Sequence, residues 1–217
     1  MDFFTEICGR KAFICKDDQA SILSSFLMFC FDEQEAKAVL EEVSRLDGVA
    51  FVAVILERWD SCMIPWESKA VKGPAEAKSL SEEIPALLDG AIHVCHGDVR
   101  KRYLIGYSLG GLFAVWEGRK GRFDGIASVS GSMWYPDLVP FVQDGEYPNV
   151  AKAYFSIGDK EGGKPSSPFY QVREKTMEIE RIMASKGIQT TFELNEGNHF
   201  HQPASRLKKA VEWLCRS

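Results

Sequence analysis

A chain of 217 residues can bury one sizeable core, and its 45% hydrophobic and 26% charged residues are ordinary globular values. Its 26 basic against 31 acidic side chains leave a net charge of −5, which attracts neither nucleic acid nor an anionic membrane surface. The longest apolar runs, Ile22 to Phe31 and Val49 to Leu56, fall short of the ~20 residues a spanning helix needs. We therefore expect one soluble domain over residues 1–217. The start, Met1 to Glu6, lacks the charged and apolar regions of a secretory signal, so a cytoplasmic location is expected. The six scattered cysteines then read as reduced, mostly buried thiols.

In chain order, Lys11 to Cys15 and Ile22 to Phe31 are strand-like and flank the polar turn Lys16-Asp17-Asp18-Gln19, which predicts an antiparallel hairpin. Asp32 followed by Glu35 reads as a capping box, and Ala36, Val39, Leu40 and Val43 form one helical face stopping near Gly48. Val49 to Leu56 is the next strand. Tyr103 to Gly106, Gly125 to Val129, Ala151 to Ile157 and Thr190 to Leu194 then alternate with helical segments, which implies a largely parallel sheet covered on both faces. Among those helices, Leu109, Leu112, Phe113 and Trp116 share a face, with Gly118 expected as a left-handed cap. Residues Pro168 to Lys186 carry the stripe Val172, Thr176, Ile179, Met183. The last helix opens near Pro203 and turns Leu207, Ala210, Val211 and Leu214 inward.

Chemistry enters at Gly106-Tyr107-Ser108-Leu109-Gly110, placed between the strand ending at Ile105 and the helix beginning near Leu112. That is the setting of a nucleophile elbow, where glycines let strand and helix backbones nearly touch below an exposed serine. Behind Ser108 come Asp159 and Glu161 and then His199, each just past a predicted strand, in the order Ser, acid, His. A serine hydroxyl needs a base to take its proton, and His199 is the candidate; a carboxylate, Glu161 or Asp159, would orient the imidazole. The Leu109 N–H, at the start of the following helix, is the candidate oxyanion donor. A second donor is expected after Val49 to Leu56, around Arg58 or Trp59. Trp59 and Trp134 stand in loops after strands and are candidate substrate-binding residues.

With these residues in place, the chain resembles the α/β-hydrolases of the esterase branch that includes S-formylglutathione hydrolases, feruloyl esterases and siderophore esterases. The resemblance rests on Gly106 to Gly111, Ser130-Gly131-Ser132-Met133-Trp134, Gly158-Asp159-Lys160-Glu161 and Gly197-Asn198-His199-Phe200. It implies an α/β-hydrolase fold and an esterase with a Ser108, Glu161, His199 triad. Glu161 is favoured over Asp159 because related esterases place the acid three residues after the strand-closing glycine, although as an aspartate. The implied reaction is hydrolysis of a small-molecule carboxylic ester through an acyl-enzyme, without cofactor or metal. A thioesterase, an acyltransferase or a non-catalytic hydrolase-fold binding protein are the alternatives.

Other features read as structural. His93, Cys95 and His96, taken as strand residues, alternate between faces and make no metal site. Asp137 reads as a turn residue beside Pro136. Gly158 to Lys164 imitates a phosphate-binding loop, but Pro165 stands where a hydroxyl is needed and Asp159 and Glu161 would repel a phosphate.

Overall fold

The computed structural model describes residues 3–71, 73–95, 98–167 and 169–216. Strands β1 (Phe3–Ile7) and β2 (Arg10–Lys16) form the N-terminal antiparallel hairpin. Its two-residue turn, Cys8-Gly9, has both residues at positive φ, as the right-handed twist of a hairpin requires. β2 next pairs antiparallel with β4 (Val49–Ile55). The expected pairing of 11–15 with 22–31 therefore does not form. Strand β3 (Ile22–Cys30) is buried from Phe26 to Cys30 and lies inside the sheet, parallel to β4 on one side and to β5 (Asp98–Tyr107) on the other. A continuous apolar run suits such a two-sided position better than a hairpin arm. Asp17, read as a turn residue, accepts the Gln19 N–H within that turn through one oxygen and the Gly48 N–H through the other, each at 2.8 Å, so the same carboxylate pins the entry to β4.

From β4 onward every pairing is parallel, through β6 (Gly125–Val129), β7 (Lys152–Gly158) and β8 (Gln189–Asn195), in the order β1-β2-β4-β3-β5-β6-β7-β8. Helices cover both faces. On one lie α1 (Glu33–Val43) and α7 (Pro203–Cys215), burying the two stripes read from the sequence. Asp32 caps α1 by accepting the Glu35 N–H at 2.8 Å. The other face carries α2 (Trp59–Met63), α3 (Ala77–Cys95), α4 (Leu109–Glu117), α5 (Leu138–Asp144) and α6 (Val172–Ser185).

Two readings of the helices change. His93 and Cys95 belong to α3, whose inward side is Ala77, Leu80, Ile84, Leu87, Leu88, Ala91 and Cys95, a helical rather than a strand period; His96 lies outside the described residues. Helix α4 is buried on all sides and runs on into a 3-10 turn at Gly118–Lys120, so the left-handed cap is Gly121 (φ 69°) and not Gly118 (φ −52°). Cys15, Cys30, Cys62 and Cys95 are buried, whereas Cys8 and Cys215 are exposed. Among the described residues no helix is long and apolar enough to cross a membrane.

Candidate active site

Ser108 sits between β5 and α4 at φ 55°, ψ −120°, a conformation that costs a non-glycine residue free energy and persists only where its surroundings enforce it. Here they do. The Ser108 N–H bonds Val129 O at 3.2 Å, and its carbonyl accepts the N–H groups of Gly111, Leu112 and Ser132. A Cβ on Gly106 would overlap the Gly110 carbonyl and come within 2.6 Å of Gly111 N, so strand and helix can meet only over a bare Cα. A Cβ on Gly111 would lie 2.9 Å from Gly131 Cα, so the loop after β6 closes down against the same turn.

His199 follows β8, and its Nε2 is 3.2 Å from Ser108 Oγ while its Nδ1 is 2.7 Å from Glu161 Oε2. With the Nδ1 proton held by the carboxylate, Nε2 is left as the acceptor facing the serine hydroxyl. Of the two candidate acids it is Glu161 that reaches the imidazole. Asp159 instead accepts the Gly197 N–H at 2.7 Å, and its own N–H bonds Asn195 O, which ties the loops after β7 and β8 together. His201 is exposed and packs its ring against Gly197. Asp137 precedes α5 in a left-handed conformation, its carbonyl accepting the Phe141 N–H.

Glu161 is 5% exposed in its side chain and carries an uneven load. Oε2 faces His199, while Oε1 accepts from the Gly158 N–H (2.7 Å), Ser130 Oγ (2.8 Å) and Arg206 Nη1 (2.9 Å). Burial alone would raise this carboxyl, but the hydrogen bonds from His199, Gly158 and Ser130 outweigh it and hold the group below the ordinary carboxylate value. Tyr107 closes the back of the site: its hydroxyl donates to the His199 carbonyl, its ring lies 5.2 Å from the imidazole, and burial pushes its phenol up.

Two cavities meet at this point. One of 730 Å³ is lined by Leu109, Trp134, Lys160, Phe169 and Asn198, the other of 490 Å³ by Phe31, Asp32, Glu35, Trp59 and Tyr107. Ser108, His199 and Phe200 line both. Trp59 and Trp134 are thus brought to the serine in different cavities, Trp59 over Gly110 and Trp134 edge-on to Phe169 with ring centroids 4.9 Å apart. Leu109 opens α4, where the first N–H groups of a helix have no intrahelical acceptor. Arg58 is not brought to the site: it precedes α2, its guanidinium points outward to Glu76 at 2.5 Å, and it lines neither cavity. The sheet order explains the difference. The neighbour of β5 is β3, with Met28 level with Ile105, so the residues just past β3, Phe31 and Asp32, come level with Ser108, while β4 stands one strand further away. In the hydrolases that the sequence resembles, the loop after the third strand supplies the second oxyanion donor.

The comparisons with known proteins divide by kind. No family model and no curated protein sequence matches the chain. Solved structures do. An IroE-like serine hydrolase from Shewanella oneidensis superposes with a TM-score of 0.77 at 16% identity, over 94% of this chain and 75% of that one. The siderophore hydrolase EstB from Aspergillus nidulans gives 0.73 at 14% identity, over 99% and 93%. The BES protein from Bacillus cereus gives 0.71 at 17% identity, over 100% and 94%. The chain has the α/β-hydrolase fold. Among the described residues eight strands, with an antiparallel pair at the N-terminal edge and helices on both faces, fill that fold from β1 to α7.

Two residues of this site escape a reading of the sequence by motif. Arg206 is 2% exposed although arginine is normally a surface residue; its only signal is its place among Leu207, Ala210 and Leu214 on the inward stripe of α7. Ser130, at φ 47° and buried, opens the Ser130 to Trp134 motif, but nothing in the sequence marks its hydroxyl as a donor to Glu161.

Proposed function

We propose that the chain is a serine carboxylic-ester hydrolase, one catalytic domain over residues 1–217. The observation that carries this reading is the unbroken hydrogen-bonded line from Ser108 Oγ through His199 to Glu161, at 3.2 and 2.7 Å. In the proposed reaction Ser108 Oγ attacks the ester carbonyl carbon as its proton passes to His199 Nε2. The oxyanion forms between the Leu109 N–H and the Asp32 N–H, the Phe31 N–H being given to Glu35 Oε2 at 2.9 Å. Glu161 stabilises the imidazolium, which returns its proton to the leaving alcohol and leaves an acyl-Ser108. Water, deprotonated by His199, then releases the acid and restores the serine.

The 730 Å³ cavity, walled by Trp134 and Phe169, supports a substrate with a bulky apolar or aromatic portion. Two of the structural neighbours are named siderophore hydrolases and another an enterobactin esterase, which favours an ester-cleaving reading without fixing this chain's own substrate. The test is covalent labelling by a fluorophosphonate with the modified residue located by mass spectrometry, beside turnover of a panel of acyl and aryl esters. Label on Ser108 with ester turnover is expected. Label without turnover of oxygen esters but with turnover of thioesters would move the reading to a thioesterase. Absence of both would leave a binding protein.

A further inference from the structure

Arg206 stands where an arginine is disfavoured twice over. It is buried to 2% exposure, and it lies near the amino end of α7, where the helix dipole opposes a cation. Four contacts offset this. One arm of the guanidinium, Nη1, donates to Glu161 Oε1 and Ser130 Oγ, each at 2.9 Å. The other, Nη2, donates to the backbone carbonyls of Glu196 (2.8 Å) and Asn198 (3.0 Å), the latter immediately before His199. The backbone makes room for this fork: a Cβ on Gly158 would come within 2.9 Å of both Arg206 Nη2 and Glu161 Oε1.

We infer that Arg206 is a positioning residue of the triad, whose planar fork joins the Glu161 carboxylate to the loop that carries His199. The inference rests on the esterase reading. The planar guanidinium matters because one arm meets the carboxylate that holds the imidazole and the other meets carbonyls of the loop leading into His199, so the carboxylate and that loop are set relative to one another by one rigid group. A lysine keeps the charge but has no fixed fork, and it can serve one side at a time. Glu161 already receives Gly158 and Ser130, so the arginine is not needed to satisfy Oε1; what it adds is the link to Glu196 and Asn198.

The test compares wild type with Arg206→Met and Arg206→Lys by steady-state kinetics on one ester and by the rate of fluorophosphonate labelling, with folding checked by near-UV circular dichroism. For Arg206→Met we expect kcat to fall about 10- to 100-fold, the usual range for a lost supporting contact or an ångström of misplacement, with KM within about twofold. Labelling of Ser108 slows in parallel, because attack needs the base in place. Arg206→Lys recovers part of the loss. A folded Arg206→Met with kcat within about twofold of wild type overturns the inference, since a merely structural arginine would lower the melting temperature and leave turnover alone. If the methionine variant does not fold, the lysine variant decides: a folded protein with lowered kcat at constant KM supports the role, and unchanged kcat overturns it. Wild type that neither labels nor turns over esters overturns the esterase reading and this inference with it; wild type that does both, beside an unimpaired Arg206→Met, overturns the inference alone.

Discussion

Replacing Glu161 by glutamine tests the site through a question of orientation. Oε1 accepts three donors, from Gly158, Ser130 and Arg206, whereas Oε2 meets only His199 Nδ1. A glutamine has one oxygen. If it turned its NH2 toward the three donors, all three would lose an acceptor at about 1–3 kcal/mol each; the opposite orientation forfeits at most one bond. The oxygen therefore takes the Oε1 position and the NH2 faces His199, which must offer a lone pair at Nδ1 and carry its proton on Nε2. Nε2 then points a proton at Ser108 Oγ instead of accepting one. Such a tautomer trap lowers kcat by about 10⁴-fold, or roughly 5 kcal/mol of transition-state stabilisation, with KM little changed. Loss of the carboxylate also leaves Arg206 buried without its counter-ion, at a cost of about 3–5 kcal/mol, so a clear drop in melting temperature should accompany the kinetic loss. The assay is steady-state hydrolysis of a 4-nitrophenyl ester well below the variant's melting temperature, with Asp159→Asn beside it. In that second variant the amide oxygen would still accept the Gly197 N–H, and activity within a few-fold of wild type is expected there. A folded Glu161→Gln that keeps more than about a hundredth of wild-type kcat would refute the argument, and a severe loss confined to Asp159→Asn would hand the acid's role to Asp159.

Ser108→Ala and His199→Ala should each fold and lose about 10⁴- to 10⁶-fold in kcat, while His201→Ala, whose ring packs against Gly197, should keep most activity in the same ester assay. Gly106→Ala forces β5 and α4 apart at the elbow; we expect a stability loss of about 1–3 kcal/mol or more by chemical denaturation and a kcat deficit of about 100-fold, and near-normal values for both would contradict the close approach. Glu161 is held below the ordinary carboxylate value, so its contribution to stability is complete above that value and is lost as the pH falls through the depressed one; the acid-side loss in denaturation midpoint should be smaller in Glu161→Gln. Glu35 behaves oppositely. Burial raises its carboxyl from 4.5 to about 7, so the folded state favours the proton, and stability present near pH 4 should decline by about 1–3 kcal/mol as the pH rises from about 4.5 to 7, a decline absent in Glu35→Gln.

Much of this was legible because local chemistry and global fold agree at the places concerned. The stripes of α1, α6 and α7 are helical periods with one buried side each, and the elbow glycines stand where a Cβ has no room. What escaped depends on which strands become neighbours. No local signal says that β3 passes over β4 to lie beside β5, and that one crossover decides both the true hairpin and why residues 31–32, rather than Arg58, stand level with the serine. Arg206 and Ser130 escaped for a related reason: their bonds to Glu161 join residues distant in sequence, which meet only when the loops after β6 and β7 come together and α7 packs against them.

The two cavities share Ser108, His199 and Phe200, so each has its own walls and both reach the same hydroxyl and imidazole. In the proposed reaction an ester lying across the serine would place one half in each. The alcohol half would then leave its cavity without passing the acyl group held on Ser108, and the space it vacates beside His199 would be where water meets its base.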